Sequence, residues 1–250
     1  MAVATWRAPR DGRLYGRLAV DATALLAYVA EQRAASGEHV TVTHVVGKAV
    51  ARAMREVPEA HGRVLLGRVV PYPSCDIGFA VDLGGSDVAP VKVVGADTAS
   101  VAEIARQLAR GAARLRDGAD RDFETSSRLA RIVPWWLARP LLTLAGFVNG
   151  GLGLRAFGQP GFPLGSAFVS NVGRFGLDEG LLAPVPFARA PLYVLVGRLA
   201  DAPLAVDGAV VVRPQLIVTF TADHRVIDGV QAGGLVGAVR AGLLDPTLLG

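Results

Sequence analysis

A histidine and an aspartate stand four residues apart near the end of the chain, within the segment Phe220–Gly229. This segment follows an apolar, β-rich run and precedes a plausible helix, so His224 and Asp228 are predicted to lie at a strand-to-helix corner. Imidazole is the side chain best suited to move protons near neutral pH. The chain has four histidines, and His224 is the one in the most specific setting.

The chemistry that such a histidine supports is the activation of a nucleophile. A free thiol has a pKa of about 8.5 and is mostly protonated at neutral pH, so a neutral imidazole can take its proton as the sulfur attacks a carbonyl. The attack creates an oxyanion, which a hydroxyl can stabilise. The residues alone leave alternatives open: His224 as a buried histidine bonded to backbone groups, Asp228 as a helix N-cap, and Asp223 with Arg225 as a structural ion pair.

Composition predicts one globular domain spanning residues 1–250, because 51% of the residues are hydrophobic and 19% are charged. The single cysteine, Cys75, excludes an intrachain disulfide and favours a reducing, cytoplasmic location. Cys75 itself is expected to be a small buried hydrophobe. The segment Met1–Gly12 lacks the apolar stretch of a signal peptide.

The net charge of +4 comes almost entirely from scattered arginines, since Lys48 and Lys92 are the only lysines. No cluster of basic residues with interleaved aromatics is present, so nucleic-acid binding is not expected. A mild positive charge is compatible with anionic ligands such as coenzyme A.

Predicted helices and strands are interspersed along the chain, which indicates the α+β class. Helices are expected after Asp21, after Thr43, after the capping-box serine Ser100 and from Asp228 onward. Strands are predicted at Leu14–Val20, Arg63–Val70, Asp76–Asp82, Val88–Val94, Ala167–Ser170, Leu192–Leu199, Ala209–Val212 and Gln215–Thr221. The last is apolar or β-branched throughout, as in a central strand buried on both faces.

Two segments carry a resemblance to a known family. Asp223–Gly229 resembles the active-site signature of the dihydrolipoamide acyltransferases of 2-oxoacid dehydrogenase complexes, which belong to the chloramphenicol acetyltransferase-like superfamily. Phe168–Gly176 resembles the Ser-Asn-x-Gly-x-Phe-Gly segment of the same family. Chloramphenicol acetyltransferase itself carries a second histidine where this chain has Asp223, so the sequence favours the dihydrolipoamide branch. Weaker matches follow in the family's order at Arg55–Glu59, Asp76–Val81, Ala89–Val91 and Asp97–Ala105.

The resemblance implies a fold, a reaction and roles for particular residues. The fold would be a chloramphenicol acetyltransferase-like two-layer α/β sandwich with a mixed sheet, and the reaction an acyl transfer between a coenzyme A thioester and a dihydrolipoamide-type thiol, without a metal. His224 would be the general base, Ser170 the donor to the oxyanion, and Asp228 a residue that orients the site. Asn171, Gly173 and Gly229 would be substrate-binding positions. The family also implies a homotrimer, or a larger assembly of trimers, in which histidine and serine of one site come from neighbouring subunits.

The chain departs from the family pattern in two further respects. Its 250 residues contain no segment like a lipoyl domain, so a lipoyl group would come on a separate carrier protein in trans. The N-terminal segment is diverged, which leaves Arg7, Arg10 and Arg13 as candidates for an arginine that pairs with Asp228.

Residues 127–164 form an apolar insert where the family usually has a short connection. It contains Trp135 and Trp136 but is interrupted by prolines and glycines, so it does not predict a membrane-spanning helix. The alternatives are a helical hairpin buried on the domain or in a subunit contact, a helix at a membrane surface, and an apolar wall for a longer acyl group. Because the insert leads directly into the strand of Ser170, it is expected to cover that end of the site.

Two other functions remain compatible with the sequence. One is an acyl-CoA-dependent O- or N-acyltransferase acting on a small molecule, with the same fold and another acceptor. The other is a non-catalytic trimeric scaffold associated with a membrane surface, which the apolar insert favours and the retained Ser170, His224 and Asp228 disfavour.

Overall fold

The computed structural model describes residues 12–84, 87–120, 125 and 133–250. Its strands are β1 Arg13–Asp21, β2 Gly62–Leu65, β3 Arg68–Pro71, β4 Ile77–Gly84, β5 Asp87–Val93, β6 Ala167–Asn171, β7 Leu192–Val196, β8 Ala200–Val206 and β9 Ala209–Asp223. Its α-helices are α1 Thr23–Ser36, α2 Val42–Glu56, α3 Val101–Arg116, α4 Trp135–Ala145 and α5 Gly229–Leu244. Short helical turns follow at Pro58–Ala60, Gly146–Gly151, Gly173–Phe175 and Pro246–Leu249.

The main sheet has the strand order β1-β9-β7-β6-β4-β5, with β8 also paired to β9. β6 runs parallel to β4 and β7, while the remaining pairs are antiparallel, so the sheet is mixed. β2 and β3 form a separate hairpin. This polarity matters for the site, because β6 and β9 run in opposite directions.

One face of the sheet is covered by the helices. Alternate residues of β9, such as Leu216, Val218 and Phe220, join the main core with residues of α1, α2, α3 and α5. Thr219 and Thr221 point to the other face, where the loop around Val185 covers the buried Tyr193. Cys75 is free and buried, as predicted, and burial raises the pKa of its thiol to about 12.

Helix starts follow the sequence signals closely. The Ser100 hydroxyl accepts a hydrogen bond from the Glu103 amide, as expected for an N-cap. Asp21 was expected to cap α1, but the N-cap position is Ala22, one residue later. The Asp21 carboxylate nevertheless accepts a bond from the first helical amide, that of Thr23. The predicted start of α2 is also slightly late, since the helix begins at Val42 after Thr41.

The prediction of a single strand over Arg63–Val70 is wrong. The chain reverses at Leu66 and Gly67, whose φ angles of 50° and 78° are both in the left-handed region. Two such residues make the tight turn that suits the twist of a hairpin. The β2–β3 hairpin can therefore form one wall of the candidate site described below.

The predicted break between Ala209–Val212 and Gln215–Thr221 is also wrong, because β9 is continuous through Pro214. The Pro214 carbonyl accepts a bond from Ala22, on the side of β9 that β1 occupies, just beyond the end of that strand. In an antiparallel sheet the amide of a residue points to the same side of the strand as its carbonyl. The missing amide hydrogen of Pro214 would therefore point away from β8, and no hydrogen bond between β8 and β9 is lost. The strand β8 itself was not predicted.

Candidate active site

His224 lies in the turn directly after β9, at the end of the central strand. Its backbone amide donates a hydrogen bond of 3.2 Å to the Gly12 carbonyl, which ties the turn to the residue before β1. The side chain is exposed. Among the described residues its imidazole has no hydrogen-bond partner, so its nitrogens are accessible to a substrate.

The residues on either side of His224 form an ion pair. Arg225 donates to both carboxylate oxygens of Asp223 at 2.9 and 2.6 Å, and Arg13 lies 3.5 Å away from the same carboxylate. Burial alone would raise the pKa of Asp223, but the hydrogen bonds from Arg225 and the two positive charges outweigh it and lower that pKa below its ordinary value. Asp223 and Arg225 are therefore both charged, and their ion pair fixes the conformation of the turn.

Asp228 is the N-cap of α5. Its Oδ1 accepts hydrogen bonds from the amides of Val230 at 2.8 Å and Gln231 at 3.3 Å, and the Gln231 side chain accepts one from the Asp228 amide. Within the described part of the chain Asp228 makes no ion pair: Arg13 contacts Asp223 instead, while Arg7 and Arg10 lie outside the described residues. Gly229 is the first residue of α5 and has open space around its Cα.

We expect the replacement of Asp228 by alanine to reduce the free energy of unfolding by about 0.5–2 kcal/mol, the usual contribution of an N-cap. Asparagine at the same position retains a side-chain oxygen and should lose much less. Chemical denaturation of both variants measures the difference. Equal stability of the alanine variant and the unchanged protein would contradict the capping role.

Ser170 lies near the C-terminal end of β6, half-buried, on the sheet face opposite the helices. No hydrogen bond to its hydroxyl is present among the described residues. Asn171 shapes the turn that follows: its Oδ1 accepts from the Gly173 amide at 2.8 Å, and its Nδ2 donates to the Thr43 hydroxyl at 2.7 Å. A Cβ at Gly173 would come within 2.5 Å of the Gly197 carbonyl, so the turn requires glycine there.

The sheet keeps Ser170 and His224 apart within one chain. Ser170 is level with Leu195 of β7, which is level with Thr219 of β9, and His224 is five residues beyond Thr219. That separation is about 17 Å along the strand and about 10 Å across two strand spacings. A hydrogen-bonded arrangement around one carbonyl needs about 3 Å to each group, so a single chain does not assemble these two residues into one site.

The other three histidines have different environments. His39 is exposed, and His44 accepts the amide hydrogen of Thr41 at 3.1 Å, with its pKa lowered to about 4 mainly by burial. The His61 ring lies 5.7 Å from that of Tyr72, and burial is the main cause that lowers the pKa of His61.

The described residues contain no group of three or more His, Cys, Asp or Glu side chains that could hold a metal ion.

The insert lies at the opposite end of β6 from the one expected. It enters β6 at Ala167, which is level with Leu192 and Ala222, whereas Ser170 is at the far end of the strand. The insert is therefore close to the end of β9 that carries His224, and the expectation that it covers the serine end is wrong. The insert precedes β6 in the chain and so joins its N-terminal end, and it comes near His224 because β6 and β9 run in opposite directions, which a strand assignment from sequence does not supply.

The second half of the insert is anchored to the body of the protein. Arg63 of the hairpin donates to the Gly151 carbonyl at 2.7 Å, and its guanidinium lies 4.6 Å from the ring centre of Phe162. By contrast, no residue of α4 with a described side chain is buried, and Trp136 is 64% exposed. Within the described residues, no helix is both long and apolar enough to cross a bilayer.

Comparison with known proteins identifies the family. The model of the 2-oxoacid dehydrogenases acyltransferase catalytic domain matches residues 13–126 and 162–250 of this chain. The chain belongs to this family. The match omits residues 127–161, a stretch that lies within the apolar insert.

Among curated relatives of the family is the dihydrolipoyllysine-residue acetyltransferase component of the pyruvate dehydrogenase complex of Mycoplasma capricolum. It is 29% identical over 223 residues, which are 88% of this chain and 41% of the relative. The chain thus spans about two fifths of the length of this relative.

Two solved structures establish the fold. The dihydrolipoamide acetyltransferase of Azotobacter vinelandii is superimposable with a TM-score of 0.69 at 20% identity, covering 96% of this chain and 84% of that one. Chloramphenicol acetyltransferase gives a TM-score of 0.52 at 15% identity, covering 94% and 89%. The predicted α+β, chloramphenicol acetyltransferase-like fold class is confirmed.

Proposed function

We propose that this protein transfers an acyl group between coenzyme A and a thiol of the dihydrolipoamide type. Membership of the acyltransferase family supports the reaction class. The observation that supports the chemistry is an exposed imidazole, His224, held at a rigid corner by the Asp223–Arg225 pair. In the A. vinelandii acetyltransferase, a serine, a histidine and an asparagine have been studied for their role in catalysis, and we assign the corresponding roles here to Ser170, His224 and Asp228.

The proposed mechanism uses the chain's own residues for two tasks. His224 accepts the proton of the attacking thiol as the new sulfur–carbon bond forms. Ser170 donates a hydrogen bond to the oxyanion of the tetrahedral intermediate. When the intermediate collapses, the original carbon–sulfur bond breaks and His224 returns its proton to the departing thiolate. Asp228 keeps the start of α5 fixed beside the base, while Asn171 and Gly173 fix the turn after the serine.

The separation of Ser170 from His224 supports a site shared between copies of the chain. If the serine end of one copy meets the histidine end of the next, each contact contains one complete site. Repeated head-to-tail contacts form a closed ring when the rotation between successive copies closes. Both ends expose apolar side chains, which favours contact there: Phe175 and Leu181 at the serine end are 65% and 56% exposed, and Val230 beside Asp228 is 82% exposed. We therefore propose that the chain forms a homotrimer. A cytoplasmic location and a lipoyl group on a separate carrier are further parts of the proposal.

A direct assay tests this proposal. The purified protein is offered several acyl-CoA esters together with dihydrolipoamide, and free coenzyme A is measured over time. We expect release that depends on the dithiol. Release that depends instead on small amines or alcohols would contradict the thiol acceptor and favour the O- or N-acyltransferase alternative. No release with any acceptor would overturn the enzymatic proposal and leave the scaffold, whose membrane contact through the insert stays a prediction.

A further inference from the structure

The insert contains a tight turn with an aromatic residue at its tip. The Ala156 amide donates to the Gln159 carbonyl at 3.2 Å, and the Gln159 amide donates to the Ala156 carbonyl at 2.9 Å. The two residues between them, Phe157 and Gly158, have φ angles of 55° and 68°. A two-residue turn with both φ angles positive favours Asn-Gly, and a bulky residue at its first position is an outlier. Phe157 is 40% exposed, so packing within this chain does not account for the aromatic ring there.

The turn is held in place from inside the protein. The Asn149 side chain is buried, and its Nδ2 lies within hydrogen-bond distance of three backbone carbonyls, those of Leu154, Ala156 and Gln159, at 2.7, 3.1 and 3.2 Å. Strained backbone persists where the surrounding structure determines it, and it is concentrated at functional sites. The protein thus holds Phe157 in a fixed position at the surface.

The base of the insert is attached to the body of the protein at two further points. The Arg189 guanidinium lies 5.9 Å from the ring centre of Phe147, and its Nη1 donates to the Val64 carbonyl at 2.7 Å. Arg63 donates to the Gly151 carbonyl, as described above. The insert is therefore a built part of the surface, and what its outer side exposes has a defined place.

The outer side of the insert exposes large apolar side chains. The exposed residues of α4 are spaced three or four apart, which places them on one face of the helix; they are Trp136, Arg139, Pro140, Thr143 and Leu144. Leu152, Leu154 and Phe157 are exposed in the segment after the helix. All of these residues lie in the stretch that the family model does not match. The acyl transfer described above uses none of them.

The charge of this region has one sign. None of the chain's 22 acidic residues lies between Thr125 and Leu177, whereas the insert carries four arginines, at positions 128, 131, 139 and 155. Arg139 is exposed beside Trp136 on α4 and makes no ion pair among the described residues. Exposed aromatic and aliphatic side chains interspersed with basic residues are typical of segments that lie on anionic membranes.

A second copy of the chain matches this charge poorly. In the proposed ring, the histidine end meets the serine end of the next copy, where the carboxylates of Asp82, Asp178 and Glu179 lie. Each of these carboxylates already pairs with an arginine of its own chain. A lipid surface instead offers negative headgroups for arginines and an apolar layer for the rings of tryptophan and phenylalanine.

We propose that the insert binds the surface of a membrane that contains anionic phospholipids. The helix α4 has 11 residues, whereas about 20 are needed to cross the hydrocarbon layer, so the contact is at the surface. Phe157 and Trp136 would enter the headgroup region, and Arg139 would interact with the lipid phosphates. This contact would hold the acyltransferase domain at the membrane without any change in its chemistry.

Sedimentation with lipid vesicles tests this proposal. The purified protein is mixed with vesicles of phosphatidylcholine alone, or of phosphatidylcholine and phosphatidylglycerol in equal parts, and the bound fraction is measured after centrifugation. We expect binding to the mixed vesicles to be at least about tenfold tighter than to phosphatidylcholine alone. Added salt should reduce that preference, because it screens the attraction between arginines and headgroups.

Two single substitutions separate the aromatic contribution from the charge. Phe157→Asn creates the favoured Asn-Gly turn, so it should fold at least as well as the unchanged protein, yet bind the mixed vesicles about tenfold more weakly. Arg139→Gln should weaken binding by about fivefold. The matched controls are Val94→Asn, exposed after β5, and Arg240→Gln, exposed on α5. Both should bind as the unchanged protein does.

Three results would overturn the proposal. The first is a protein that stays in the supernatant with both kinds of vesicle, and the second is equal binding to both. The third is a pair of Phe157→Asn and Arg139→Gln variants that bind the mixed vesicles like the unchanged protein. No ester or thiol acceptor is present in this experiment, so its result does not depend on the proposed reaction.

Light scattering without vesicles distinguishes a membrane from a second copy of the chain. We expect the same native mass for the unchanged protein and for Phe157→Asn. A lower mass for the variant would show that the turn packs against another copy, and it would overturn the assignment of this surface to lipid.

Discussion

Replacing His224 with alanine is expected to lower acyl transfer by about two to four orders of magnitude, the usual contribution of a general base. The exposed imidazole has no hydrogen-bond partner among the described residues, and it sits after a strand whose backbone is fixed on both sides by β1 and β7. Removing it should therefore affect proton transfer much more than folding. The measurement is kcat with saturating acyl-CoA and dihydrolipoamide, together with the thermal midpoint.

His39→Ala is the matched control for this experiment. His39 is likewise exposed, but it lies in the connection between α1 and α2, far along the chain from the site. We expect it to retain full activity. A His224→Ala protein that transfers acyl groups at the normal rate would remove the general base from the proposed mechanism.

Replacing Ser170 with alanine is expected to reduce kcat by about two to three orders of magnitude, as the loss of one oxyanion donor does in other enzymes. The hydroxyl is half-buried at the end of β6 and lacks a partner among the described residues, so the loss falls on the transition state rather than on the fold. A variant with unchanged kcat would show that another group holds the oxyanion.

Mixing the two inactive variants tests whether copies share the site. When His224→Ala and Ser170→Ala chains are unfolded and refolded together in equal amounts, random assembly gives about a quarter of contacts an intact serine and an intact histidine. About that fraction of the activity should return. A His224→Ala chain mixed with the double variant should recover nothing, and it provides the control. No recovery in the first mixture would contradict a shared site.

Much of the architecture was readable from local signals. Ser100, followed by Glu103, marked the start of α3, and the β-branched run before His224 marked the central strand. The roles of Asp228 as a cap and of Asp223 with Arg225 as an ion pair were also evident, because they depend on residues two or three positions apart. Short-range geometry of this kind is encoded in residue type and spacing.

What the sequence did not reveal depends on distant contacts. Arg189 reaches the carbonyl of Val64, 125 residues earlier in the chain, and no spacing rule joins them. Its positive φ has no glycine to signal it. Likewise, the direction of β6 relative to β9 follows from how the strands pair, so the sequence did not show that the insert lies near His224.

Because β6 and β9 run in opposite directions, a defective subunit in a mixed assembly would affect more than one reaction centre. In the proposed ring, each copy would lend its hydroxyl to one neighbour and its imidazole to the other, so a copy whose central sheet is disrupted would spoil two reaction centres rather than one. In a ring of three, a single defective member would leave one centre working. In a mixture of normal and defective chains, the fraction of activity lost would then exceed the fraction of defective chains.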